Sequence, residues 1–194
     1  PLAESDAQLR RFATHTIARL RELKHGEEVR FGGMITQLRF MNTKKGDRFA
    51  RCKIEDFSGQ IECVMWPSDY NRHKERLVDD GIFLFEAAVE WGDRQDPIAV
   101  LRRLLTVEEA RNELTRGMIL RMSLGRHGPE SLESIGRVLR RSSGPCVVEL
   151  HISDAAGRKA KLRLGDEFKV NPAQVNVEDL ENMLGAGAVL FMGR

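Results

Sequence analysis

At 194 residues the chain has room for one or two domains. Its 41% apolar and 31% charged residues are an ordinary globular composition. No run of about 18 apolar residues and no secretory signal pattern is present, which argues against membrane insertion and export and makes the cytoplasm the expected location. The net charge of +2 is close to neutral, so no overall basicity argues for nucleic acid, and residues 26–106 hold thirteen basic and fourteen acidic side chains. A nucleic-acid site would have to come from local segregation of charge.

The chain begins with Pro1 rather than Met and reads as a fragment of something longer. Leu9, Phe12, Ala13, Ile17 and Leu20 recur at three- and four-residue spacing, which predicts an amphipathic helical lead-in over residues 1–25, stopped at His25-Gly26. Gln8-Leu-Arg-Arg-Phe12 faintly resembles short peptides that bind sliding clamps, but it lacks a second aliphatic anchor and Phe12 is wanted by the helix core.

From Val29 the period changes to two. Residues 30–40 predict a long first strand with Gly32-Gly33 as its bulge or coil site. Thr43-Lys-Lys-Gly-Asp47 is a basic loop, residues 48–56 a second strand, Phe57-Ser-Gly59 a turn and residues 60–66 a third strand. Pro67-Ser-Asp69 opens a helix carrying Tyr70, His73 and Leu77. Residues 82–91 and 98–105 are strands four and five, around the polar turn Gly92-Asp-Arg-Gln-Asp96. Five strands with a helix between the third and fourth is the order of an OB-fold, a small Greek-key barrel, here spanning residues 26–106.

Thr106-Val-Glu-Glu109 has the form of a capping box. Beyond it, residues 107–194 predict a small α+β domain of βαββαβ order, compatible with a split βαβ arrangement: strands 118–124, 146–152, 159–164 and 188–192, helices 129–141 and 177–184. Asn176 and Gly185 are the expected caps of the last helix.

Strand parity separates function from core, because neighbouring side chains point to opposite faces. Ala50, Cys52 and Ile54 belong inside the barrel, as do Ile61, Cys63 and Met65. Phe49, Arg51 and Lys53 share the outer face beside Lys44, Lys45 and Arg48. An exposed aromatic flanked by cations suits a single nucleic-acid strand: bases stack on rings and cations neutralise phosphates. Trp66 is open between that face and the barrel mouth, and Arg94 lies in the second loop that OB-folds use for ligands.

Catalysis finds little support. Glu55-Asp56 and Asp79-Asp80 are sequential neighbours, and Glu55-Asp56 is expected to end its strand and brace the following turn. The histidines are scattered, with no metal-ligand spacing to cysteine. No phosphate-cradling glycine loop and no serine elbow is present. Cys52, Cys63 and Cys146 have no CxxC spacing and cannot all pair; Cys52 and Cys63, at inward strand positions, are expected as buried thiols in a reducing compartment. No catalytic site, metal or cofactor is expected in this segment.

Gly33-Met-Ile, Thr43-Lys-Lys-Gly46, Ile54-Glu-Asp56, Ser58-Gly59, Ile61-Glu62 and Trp66-Pro67 leading to Tyr70, preceded by Pro1-Leu-Ala-Glu4, resemble the C-terminal region of the bacterial DNA polymerase III alpha subunit. Trp66 stands where that family often has Phe. Phe168-Lys-Val170 leading to Leu180-Glu-Asn-Met-Leu-Gly185 resembles its closing strand–helix–strand. The resemblance covers the whole chain, strongly to Leu105 and more loosely after it. It implies a single-strand-binding OB domain and a tail, residues 107–194, that docks the clamp-loader tau subunit within the polymerase III holoenzyme. The family's nucleotidyltransferase site would lie upstream, and Lys44, Lys45 and Arg48 match its basic loop. The tau-docking tail favours the replicative form over the error-prone paralogue. The competing readings are the anticodon-binding OB domain of an aminoacyl-tRNA synthetase, and an OB protein-interaction module that binds no nucleic acid.

Overall fold

The computed structural model describes residues 8–92 and 96–193, which form two compact units meeting in sequence at Ala110 and Arg111. In the first unit β1 (Glu28–Asn42), β2 (Arg48–Asp56), β3 (Gly59–Met65), β4 (Ile82–Trp91) and β5 (Pro97–Leu105) close into a barrel of order β1-β2-β3-β5-β4, with β4 returning to β1. Among the described strands of this barrel only β3 and β5 pair in parallel. Helix α1 (Pro67–His73) connects β3 to β4, as the OB order requires. Alternation along the strands fills the interior with Phe31, Ile35, Cys52, Ile54, Met65 and Phe85.

The length of β1 has a geometric cause: its first half pairs with β4 and its second half with β2. The two pairings meet at Gly33 and Met34. A Cβ on Gly33 would lie 2.5 Å from Ile54 Cγ2 and 2.8 Å from the Glu55 carbonyl oxygen. The glycine is therefore needed for close passage of two strands, not for an extra residue. The bulge expected at Gly32-Gly33 lies instead between Thr36 and Arg39, where Gln37 takes φ 52. The Leu38 amide at the bulge donates to Asp79 Oδ1 (3.0 Å), which gives that carboxylate a structural task.

The lead-in also differs from a continuous helix. Leu9, Phe12, Ile17 and Leu20 are all buried, as their spacing predicts. Yet the amides of Thr14 and His15 donate to the Arg30 carbonyl and interrupt any helix there, and the regular piece is a 3-10 helix, Ile17–Glu22. Its first turn is held from the β2–β3 turn: Ile17 N–H donates to Asp56 Oδ2 and Ala18 N–H to Ser58 Oγ. Asp56 also accepts from the amides of Ser58 and Gly59, so it braces the turn as expected. Leu9 and Phe12 are consumed by packing and are not presented as a clamp-binding peptide.

The capping box forms at the start of α2 (Val107–Leu114): Glu109 N–H donates to Thr106 Oγ1, and Thr106 N–H donates back to Glu109 Oε2. Arg76 donates to the same carboxylate. Partial burial pushes the Glu109 carboxyl up, and the bonds from Thr106 and Arg76 together outweigh this and hold it below the usual carboxylate range. A lowered folded pKa stabilises above the unfolded value and loses that contribution as pH falls through the folded one. The melting temperature should therefore fall as pH drops below the ordinary carboxylate range, and the fall should be shallower in Glu109→Gln. Identical pH profiles would refute the assignment.

In the second unit β6 (Thr115–Ser123), α3 (Pro129–Arg141), β7 (Ser143–Ser153), β8 (Lys159–Arg163), α4 (Val177–Leu184) and β9 (Val189–Gly193) follow the expected βαββαβ order. The split arrangement is not formed. The sheet order is β8-β7-β6-β9, with β6 and β7 directly paired in parallel. A split sheet would place β8 between them, but β8 is exposed along its whole length and offers only Ala160 and Leu162 as apolar cover. Residues from α3 and α4 pack with one face of the sheet, Ile135, Leu139 and Leu180 against Met118, Leu120 and Val148. Asn176 Oδ1 caps α4 by accepting from Asp179 N–H, and Gly185 ends it at φ 104.

Candidate nucleic-acid interface

The outer face of the barrel is built by residue pairs across β1, β2 and β3. Met41 faces Phe49, Arg39 faces Arg51, and Thr36 faces Lys53. On the other side of β2, Arg51 faces Val64 and Lys53 faces Glu62. Directly opposed residues share a face, so aromatic, guanidinium and ammonium groups lie in sequence along one surface. From Phe49 to Lys53 this track runs about 13 Å at the rise of an extended strand.

The aromatic end differs from the sequence expectation in one respect. Phe49 is on the predicted face but is only 8% exposed. It packs in a small outer cluster with Val64, Val100 and Ile98, and its ring lies 5.3 Å from that of Trp66 at an interplanar angle of 31°. Trp66 is the ring left open, at 44% exposure, and it sits on the outer face rather than in the barrel mouth. Phe49 thus backs Trp66 and holds it in place, while Trp66 and the exposed Met41 present the surface.

Beside this end, Lys44 and Lys45 are exposed in the β1–β2 loop, which is shaped by Thr43 N–H donating to the Asp47 carbonyl and by Gly46 at φ 89. Arg48 departs from the expected group. It opens β2 on the opposite parity, paired with Asn42, and its guanidinium covers the ring of Phe40 at 5.4 Å. At the other end a cavity of about 500 Å³ is lined by Arg51 and Lys53 together with Arg21, Gln60, Glu62 and Ile98. Arg21 is 3.3 Å from Asp96. Arg94 lies outside the described residues.

Arg39 and Met41, which the sequence reading did not single out, reach this face because the bulge at Gln37 reverses the parity of β1 beyond it. Arg21 and Gln60 reach the cavity from the 3-10 helix and the start of β3, contacts with no local sequence signal. Inside the barrel Cys52 and Cys63 are opposed, free and buried, and burial pushes the Cys63 thiol well above its ordinary value. Among the described residues no group of three or more His, Cys, Asp or Glu is placed to hold a metal ion, and no helix is long and apolar enough to cross a membrane.

The closed five-stranded barrel with this face is an OB-fold, and residues 29–101 match the family of OB-fold nucleic acid binding domains. Over nearly its whole length the chain is similar to DNA polymerase III subunit alpha. It is 27% identical over 192 residues to that protein from Pseudomonas aeruginosa, covering 98% of this chain and 16% of the relative. The Escherichia coli protein is 25% identical over 168 residues (86% and 14%), and the Mycobacterium tuberculosis protein 27% over 169 residues (87% and 14%). The chain therefore spans about one-sixth of the length of these relatives.

Proposed function

We propose that this chain is a non-catalytic, C-terminal part of a replicative polymerase III alpha subunit, whose barrel holds single-stranded template DNA on the β1–β2–β3 face. The observation that carries this reading is the half-exposed Trp66, backed by Phe49 and followed along one face by Arg39, Arg51 and Lys53. A base stacked on such a ring is worth about 1–3 kcal/mol, and the cations beyond it can neutralise successive phosphates. The similarity to polymerase III alpha extends through the second unit, which favours this reading over an anticodon-binding barrel. By the same likeness the second unit is the docking site for the clamp-loader tau subunit.

Fluorescence-anisotropy titration of labelled oligo-dT with the chain, at low and moderate salt, tests the barrel role. Salt-sensitive binding is expected; a folded chain that binds at neither salt would sink the reading and leave a protein-interaction barrel. Titration with purified tau tests the second role, a stable complex being expected from the intact chain.

A further inference from the structure

The face of the second sheet opposite its helices has a pronounced charge pattern. Arg121 of β6 faces His151 of β7, which faces Lys161 of β8; one step on, Ser123 faces Ser153, which faces Lys159. These two rows border a cavity of about 820 Å³. Among the described residues that line it, Arg121, Arg126, Lys159 and Lys161 are permanent cations and none is a carboxylate. All four are exposed. Glu149 is the nearby acid on this face, and its Oε2 is engaged by His151 Nε2 at 2.9 Å.

Lysines on an edge strand can serve only to block edge-to-edge pairing. That accounts for Lys159 and Lys161 but not for Arg121, which lies on β6, paired on both sides by β7 and β9. Cations therefore extend two strands inward, about 4.8 Å per strand, and repeat about 6.6 Å apart along β8. An extended single strand presents its phosphates at comparable intervals. The hydroxyls of Ser123 and Ser153 add neutral hydrogen-bonding groups between the charges. Of the apolar residues at the cavity, Met122, Leu184 and Ala188 are buried, Ile152 is half-buried, and the exposed ones, Ala160 and Ala186, are small, so little apolar surface is open to the anchoring side chain that a docked acidic peptide would need.

We propose that this cationic cavity is a second phosphate-binding track for single-stranded nucleic acid, separate from the barrel face. It goes beyond the barrel reading and does not require it. The test uses the intact chain carrying Arg121→Glu, Lys159→Glu and Lys161→Glu, titrated into labelled oligo-dT across a salt series. Affinity at low salt should fall about tenfold or more. The slope of log K against log salt should become shallower by about 2, from three lost phosphate contacts at about 0.7 each.

In a chain already carrying Arg39→Ala, Arg51→Ala and Lys53→Ala, residual salt-sensitive binding should persist, and the three glutamates should abolish it. This arm reads the second site even if the barrel proves inert. The Arg121→Gln/Lys159→Gln/Lys161→Gln version gives the same comparison if the charge-reversed chain fails to fold. An unchanged slope in a folded variant overturns the proposal. So does displacement of poly-glutamate, rather than oligo-dT, by the same substitutions, which would make this an acidic-peptide surface.

Discussion

A chain carrying Arg39→Ala, Arg51→Ala and Lys53→Ala is expected to bind single-stranded DNA at least tenfold more weakly at low salt, with a salt slope shallower by about 2. All three lie on one face, with Arg39 and Arg51 directly opposed across β1 and β2 and Lys53 following Arg51 along β2. Their charges are solvated in the free protein, so their removal should leave the melting temperature nearly unchanged. Trp66→Ala should weaken binding by a similar amount for a different reason. It removes a stacking surface worth about 1–3 kcal/mol per base and no phosphate contact. Its salt line should run parallel to wild type, displaced to lower affinity, whereas the triple variant's line should converge with wild type at high salt. Lys44→Ala with Lys45→Ala should weaken binding less than either, because these exposed lysines lie in the loop beside the face rather than on it. If the cation-depleted chain keeps the full slope, the β1–β2–β3 face is not where the phosphates lie.

The comparison between Phe49 and Arg39 shows how far the face was legible in the sequence. Parity along β2 assigned Ala50, Cys52 and Ile54 to the interior and Phe49, Arg51 and Lys53 to the other side, and the strand keeps that alternation without interruption. Parity states a direction and not a degree of cover, so it could not foresee that Trp66, Val64 and Val100 would close over Phe49. No faces were assigned on β1, and a simple alternation would have failed there beyond Gln37. The bulge there is stabilised by a carboxylate from far along the chain, Asp79, and such a partner leaves no mark in the local pattern. Gly32-Gly33 was the bulge or coil site expected from the sequence. In fact Gly33 is required by what passes beside it. In the second unit the helix limits and caps were readable from Pro129, Asn176 and Gly185. The strand order was not, because it depends on which strand has enough apolar surface to be buried on both sides.

Gly33→Ala is expected to be the most damaging conservative substitution in the barrel. The added methyl would meet a side-chain carbon of Ile54 at 2.5 Å and the Glu55 carbonyl oxygen at 2.8 Å. Neither can retreat easily. Ile54 is fully buried in the barrel core, and Glu55 is fixed in the ladder between Met34 and Gln60. Overpacking of this kind costs about 3 kcal/mol, equivalent to a fall of roughly 12–24 °C in a domain of this size. Gly59→Ala is the matched control, since a Cβ there meets nothing within 4 Å. Its melting temperature should stay within a few degrees of wild type. The double variant Gly33→Ala/Ile54→Val should not recover, because Val keeps a γ-methyl and the clash with the backbone carbonyl remains. A melt of Gly33→Ala that overlies wild type would mean that β1 and β2 can separate at the crossing point. The barrel face would then not be held rigidly enough to align Trp66 with Arg39 and Arg51, and the case for a preformed single-strand track would weaken with it.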